Sequence, residues 1–128
     1  MVSGLLLTIL PDIFAVCRLE PDEAIPEWAF TGDFCSVTKT TQELSIVCKQ
    51  NAVPPRYKTE RDWRALKVEG PLDFSLTGIL AALAVPLGEA DISLFAVATY
   101  DTDYVLVKSE MLDKAIEVLE KAGHRVIL

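Results

Sequence analysis

Two stretches in the second half of the sequence carry residue types that could hold a small charged molecule. The first is the loop of residues 70–78, Gly-Pro-Leu-Asp-Phe-Ser-Leu-Thr-Gly, which leads into an apolar run of helical period. A helix start offers unpaired backbone N–H groups and the positive end of the helix dipole, both favourable to a carboxylate. Glycines at 70 and 78 would let the backbone approach such a ligand closely. The plainer alternative makes Gly70-Pro71 a turn and Gly78 a tight helix-to-strand contact. The second stretch is Thr99-Tyr-Asp-Thr-Asp103, whose carboxylates could grip an ammonium group by a charge-assisted hydrogen bond. Asp101 reads better as a turn residue, and Asp103 stays a candidate contact. The candidate ligand-binding set is therefore Gly70, Leu72, Asp73, Phe74, Leu76, Gly78, Ile79, Thr99, Tyr100 and Asp103, facing a free amino acid or similar metabolite whose two charges are both answered.

Other chemistry finds less support. Cys17, Cys35 and Cys48 are odd in number and lack CxxC spacing, so they read as small buried hydrophobes in a reducing cytoplasm, although Cys35 and Cys48 could face each other across a hairpin. His124, the single histidine, follows Gly123 and reads as a surface cap residue. Asp12, Asp22, Glu23 and Glu27 have no metal-ligand spacing and read as a solvated face. The five basic groups of residues 49–64 read as an exposed connector, and Trp28 and Trp63 as core anchors. No nucleophile stands beside a base, so the expected protein is not an enzyme and carries no cofactor.

At 128 residues the chain suits one domain or two very small ones. Hydrophobic residues make up 51% and charged residues 24%, enough apolar surface for a core. Twelve basic against nineteen acidic residues give a net charge of −7, which repels nucleic acid and anionic membrane surfaces. The apolar start ends at Pro11 and reads as a strand, and the apolar run of residues 76–87 is too short to span a bilayer. A soluble, cytoplasmic protein is expected.

The elements that must position the candidate site follow from the periodicity. A strand at 63–68 precedes Gly70. Leu76, Ile79, Leu80, Leu83, Ala84 and Leu87 form a helical stripe that Asp73 or Ser75 can cap, with a kink at Pro86 and an end near Asp91. Residues 92–99 are apolar on both parities and read as a central strand covered on both faces. After the break at 100–103, residues 104–108 complete a hairpin. Ser109 caps a second helix carrying Leu112, Ala115, Ile116 and Leu119, Gly123 stops it, and 125–128 close with a strand. The order is βαββαβ, an α+β ferredoxin-like arrangement. The first half reads as strands at 5–10 and 14–19, a short helix near 25–29, a hairpin over 34–49 and a linker at 53–58. Phe34, Thr38 and Thr41 share the spacing of Phe95, Thr99 and Thr102, which suggests two related halves.

Residues 70–79, Pro86-Leu87, Ile92-Ser-Leu-Phe-Ala-Val-Ala-Thr-Tyr-Asp-Thr-Asp-Tyr-Val-Leu-Val107 and Leu112-Asp-Lys-Ala-Ile-Glu-Val-Leu119 resemble the ACT domain. The resemblance is to the tandem branch found in small bacterial proteins and animal arginine-sensing regulators. Thr38-Lys-Thr-Thr-Gln-Glu-Leu-Ser-Ile-Val47 resembles their first half. The resemblance implies a degenerate ACT-like subdomain at 1–61, an ACT domain at 62–128, and a non-catalytic, amino-acid-binding regulatory role. It matches Asp103 to an acidic ligand contact. Leu76 stands where the arginine sensors carry a second acidic residue, which implies a neutral or apolar amino acid. A homodimer is expected, because helices would cover only one face of the sheet. The competing reading is a protein interaction module with a vestigial crevice.

Overall fold

The computed structural model describes residues 4–70 and 77–128. Among the described residues, eight strands and two α-helices divide between two compact units: β1 joins the chain from Arg64 onward, and the other unit spans Asp12–Trp63. The strands are β1 (Leu6–Ile9), β2 (Phe14–Leu19), β3 (Ser36–Lys39), β4 (Leu44–Lys49), β5 (Lys58–Val68), β6 (Leu94–Ala98), β7 (Asp103–Lys108) and β8 (Arg125–Ile127); the helices are α1 (Ile79–Glu89) and α2 (Leu112–Lys121). Strand β5 has its first residues in one unit and its last in the other. It begins five residues earlier than the apolar pattern indicates. Of the basic stretch 49–64 expected to be a connector, residues 58–64 are strand here, with Lys58, Glu60 and Asp62 exposed and Thr59, Arg61 and Trp63 half-buried between them, while 50–57 are a 3-10 turn and loop.

The C-terminal unit runs β5-α1-β6-β7-α2-β8, and its strands neighbour in the order β6, β7, β5, β1, β8. This is the ferredoxin-like order with one insertion: β1, from the start of the chain, lies antiparallel to β5 and parallel to β8. Leu7 and Ile9 of β1 belong to the same apolar core as Leu66, Val68, Leu83, Leu87, Val105 and Leu119. Burying each such side chain contributes about 1.5–3 kcal/mol, so β1 goes where that core is. A boundary drawn at 61/62 instead groups β1 with the first half. Strand β6 is marginal, pairing with β7 alone among the described residues, and its side chains are half-buried or exposed. Strand β7 lies inside the sheet between β6 and β5, with Val105, Leu106 and Val107 all buried, and the middle place is taken by β5. Residues 92–99 are apolar enough for the centre, but strand order is set by pairing.

Both helices end on a left-handed residue. Gly123 has φ of 97°, and the His124 N–H reaches back to the Leu119 carbonyl at 3.1 Å. Asp91 has φ of 59°, and the Ile92 N–H reaches the Leu87 carbonyl at 2.9 Å. Both are Schellman closures. The helix starts differ from expectation. Helix α1 begins at Ile79, because Gly78 sits at φ 78° and breaks the helical path; the expected caps Asp73 and Ser75 lie outside the described residues. Ser109 does not cap α2: it opens a 3-10 turn, Ser109–Met111, and no side chain caps the helix.

Pro86 has no N–H, which leaves the Ala82 carbonyl inside α1 without its helical donor. His124 supplies one, with Nε2 3.1 Å from that carbonyl, while Nδ1 accepts the Leu5 N–H at 3.2 Å. These two partners fix the neutral ring with its proton on Nε2. At 5% exposure His124 is a core residue, not a surface cap. Gly123 turns the chain so that the ring points inward.

The N-terminal unit follows the same order with reduced helices. Strands β2, β3, β4 and β5 neighbour as β3, β4, β2, β5. A 3-10 turn at Glu27–Phe30 stands where the other unit has α1, and one at Gln50–Ala52 stands where it has the Ser109–Met111 turn and α2. In hairpin β3–β4 the Thr40 N–H meets the Glu43 carbonyl at 2.9 Å; in β6–β7 the Thr99 N–H meets the Thr102 carbonyl at 2.8 Å. Thr40 thus corresponds to Thr99, and the repeat aligns without the two-residue gap that matching Thr38 to Thr99 requires. The core of this unit includes Cys17, Leu44, Ile46, Cys48 and Val53, with Trp28 and Tyr57 packed against it at 5.3 Å between ring centroids.

All three cysteines are free thiols. Burial pushes Cys17 from its ordinary 9.0 up to about 11, partly offset by Arg61. Burial pushes Cys48 up to about 12, with Cys17 and Cys35 adding to the effect. An unfolded chain therefore releases these protons at lower pH than the folded one. Their contribution to stability is whole below about pH 9 and is lost as pH rises toward the folded values. Urea midpoints are expected to fall through that alkaline window, and to fall less in Cys17→Ala/Cys48→Ala. At neutral pH iodoacetamide is expected to label Cys35 alone in native protein, as mass spectrometry would show.

Candidate functional site

The hairpin between β6 and β7 is built by threonines. The Thr99 hydroxyl donates to the Thr102 carbonyl at 3.0 Å and accepts the Thr102 N–H at 3.2 Å, closing the turn around Tyr100 and Asp101. The Thr102 hydroxyl donates to the Val68 carbonyl at the end of β5, which ties the hairpin to that strand. Thr102 is 5% exposed, so this bond is sheltered from water. A cavity of about 190 Å³ opens beside the tie, lined by Lys67, Gly70, Asp101 and Thr102. On the wall side, Lys67 Nζ lies 3.6 Å from Glu69 Oε2, and Glu69 Oε1 accepts the Thr8 hydroxyl at 3.0 Å.

The cavity is lined by one cation and one carboxylate, the Thr102 hydroxyl being spent on Val68, within a volume below the roughly 300–1,000 Å³ of drug-sized sites. Such a site suits a compact zwitterion. Among the described residues no group of three or more His, Cys, Asp or Glu side chains is arranged to hold a metal ion.

The expected site residues are scattered. Gly70 lines the cavity. Leu72, Asp73, Phe74 and Leu76 lie outside the described residues. Gly78 is an exposed N-cap with left-handed φ, so its glycine requirement is conformational. Ile79 is turned into the hydrophobic core at 8% exposure. Thr99 is spent on the turn, and Tyr100 is 81% exposed at its apex. Asp103 is the first residue of β7, opposite Ala98, and is half-buried outside the cavity lining. Asp101, read as a turn residue, is both in the turn and on the cavity wall. Sequence reasoning missed Lys67 and Thr102. Their signals are a lone lysine among the buried Ala65, Leu66 and Val68, and the Thr-x-x-Thr turn.

Gly78→Val is expected to lower stability by about 1–3 kcal/mol, since a β-branched residue resists left-handed φ. Gly78→Asn, which tolerates that region, should cost much less. Equal thermal unfolding midpoints for wild type and both variants would remove the conformational role.

Comparison with known proteins decides the family. The sequence model of the ACT domain matches residues 58–121, half of the chain. The chain belongs to the ACT domain family. The match begins at the first residue of β5 and ends at the last of α2, and a second model, for an N-terminal domain, matches residues 12–56. This ACT protein is 40% identical over 60 residues to the cytosolic arginine sensor for mTORC1 subunit 1 of Homo sapiens and of Bos taurus. That match takes 46% of this chain and spans only 18% of the sensor's length. A crystal structure of a protein from Agrobacterium tumefaciens shares 38% identity and a TM-score of 0.94, covering 99% of the ACT chain and 96% of its own. The regulatory subunit of aspartate kinase from Thermus thermophilus, at 12% identity and TM-score 0.67, covers 95% and 99% respectively and shares the fold. The chain has the ACT fold that these neighbours share. No helix among the described residues is long and apolar enough to cross a membrane.

Proposed function

We propose that this ACT protein is a non-catalytic regulator that binds one free amino acid in the cavity at Lys67, Gly70, Asp101 and Thr102. The observation that carries the reading is the pair of opposite charges, Lys67 and Asp101, on the wall of one small cavity. Lys67 would take the ligand carboxylate, Asp101 its ammonium group, and Thr102 would hold the two walls at fixed separation. The relatives named as an arginine sensor and as aspartate kinase regulatory subunits support amino-acid sensing as the class. Leu76 in place of an acid and the small volume favour a neutral amino acid over arginine. The relative's cytosolic name and the free thiols favour the cytoplasm. Native mass spectrometry of protein purified from cells tests this directly. A retained mass matching an amino acid is the expected result, and apo protein that gains no mass with any amino acid added at millimolar concentration would overturn it.

A second reading, pairing with another copy, draws on β6, whose Phe95 and Val97, on the side opposite the core-packed Leu94, are only half-buried at the sheet margin. Such a face normally finds cover. Sedimentation is expected to show a homodimer at tens of micromolar, and Val97→Lys should return it to monomer; a wild-type monomer would sink the dimer.

A further inference from the structure

In the N-terminal unit β4 lies between β3 and β2, and Cys48 on β4 has a thiol neighbour on each side. Along β3–β4 the pairs run Val37 with Ile46 and Ser36 with Val47, so the next place sets Cys35 opposite Cys48. Hydrogen-bonded and non-hydrogen-bonded pairs alternate along an antiparallel hairpin. The bond from the Thr40 N–H to the Glu43 carbonyl makes Thr40/Glu43 a hydrogen-bonded pair, and counting back along the register makes Cys35/Cys48 a non-hydrogen-bonded one. Opposite residues of that class have Cα atoms about 4.5 Å apart, inside the roughly 4.4–6.8 Å that a disulfide spans. Their side chains share a face: Cys35 and Val37 pack against the core that holds Ile46 and Cys48. Cys17 is placed differently. It pairs with Ile46 while Ala15 faces Cys48, so it lies diagonal to Cys48, at the roughly 7–8 Å that a bridge reaches only by moving backbone. Cys35 is half-buried, whereas Cys17 and Cys48 are buried, so an oxidant in solution meets Cys35 first. Among the described residues β3 pairs with β4 alone, and its Thr38 and Lys39 are exposed. The strand that a bridge would tie is the least held of the unit.

We propose that Cys35 and Cys48 are a reversible redox switch, in which a hydroperoxide oxidises Cys35 and Cys48 closes the disulfide that staples β3 to β4. In the first step the Cys35 sulfur attacks a peroxide oxygen and the O–O bond breaks. Cys35 becomes a sulfenic acid, and the other oxygen leaves with the thiol proton as an alcohol, or as water from hydrogen peroxide. In the second step the Cys48 sulfur attacks the Cys35 sulfur, the S–O bond breaks, and the hydroxyl leaves with the Cys48 proton as water. Two thiols have then given two electrons to one hydroperoxide. A small thiol reverses the bridge by exchange. The pair shares no residue with the C-terminal cavity, so this switch and the amino-acid reading can fail separately.

The test treats the reduced full chain with an equimolar amount of hydrogen peroxide, traps the remaining thiols with N-ethylmaleimide after denaturation, and maps the peptides by mass spectrometry. The expected result is a link between Cys35 and Cys48 within one chain, at the cost of two hydrogens, with Cys17 still trapped as a thiol and the link removed by dithiothreitol. Cys17→Ala should form the same link and Cys35→Ser none, while Cys48→Ser should stop at a Cys35 sulfenic acid that dimedone captures. Cys48 is buried, so if Cys48→Ser fails to fold, the half-buried Cys35→Ser and the wild-type map decide. The amides of Ser36 and Thr38, which the alternation points at β4, should exchange hydrogen more slowly in the oxidised protein. A Cys17–Cys48 link, a link between two chains through Cys35, or Cys35 driven to sulfinic acid with no link would each overturn the switch. A Cys35–Cys48 link that leaves those exchange rates unchanged would overturn the staple.

Discussion

His124→Ala is expected to destabilise the protein by about 2–4 kcal/mol, the cost of a cavity plus two backbone groups left without partners. The groups are the Ala82 carbonyl, which Pro86 leaves without a helical donor, and the Leu5 N–H at the start of the chain. Urea unfolding followed by circular dichroism would read the loss as a lower midpoint at unchanged slope. Pro86 offers a sharper check. Pro86→Ala restores an N–H to the Ala82 carbonyl, so the cost of His124→Ala should shrink in that background. Strict additivity of the two changes would show that the ring and the proline do not act on the same carbonyl.

A free amino acid at about 100 times its dissociation constant is expected to stabilise the fold by about 2.7 kcal/mol, raising the melting temperature by roughly 8 °C or more. Asp101→Asn keeps shape and removes charge, so it should abolish most of that shift, as should Lys67→Met. Both residues lie at or near the surface, and the unliganded melting temperature should barely move. Asp103→Asn, outside the cavity lining, should keep the shift. A thermal-shift screen of the twenty amino acids on all four proteins checks this. Loss in Asp103→Asn with retention in Asp101→Asn would move the ammonium contact to Asp103, and no shift with any amino acid would leave the interaction module as the better reading.

The element types of the C-terminal unit were legible because their signals are local. Leu112, Ala115 and Leu119 repeat at helical spacing and are all buried, and Gly123 stops the helix by a left-handed φ that glycine adopts without strain. The Thr-Tyr-x-x-Asp hairpin of residues 99–103 and the βαββαβ order were likewise readable, and with them the family. In the N-terminal unit the hairpin was legible, but two helices have shrunk to 3-10 turns whose three or four residues are too few for a period.

Tertiary structure decided what depends on distant pairings. Apolarity at residues 92–99 does not say which strands are interior, and β7 took an interior place by pairing with both β5 and β6. Strand β1 joined the chain's far end because the core containing Leu66 and Leu83 had room for Leu7 and Ile9. His124 became a core residue because a proline 38 positions earlier freed a carbonyl within its reach. The cavity gathers Lys67, Gly70, Asp101 and Thr102 from segments more than thirty residues apart. Residue type alone marked Asp101 as a turn former; only the Thr102 bond to Val68, a contact across that separation, makes the same turn the wall of a cavity.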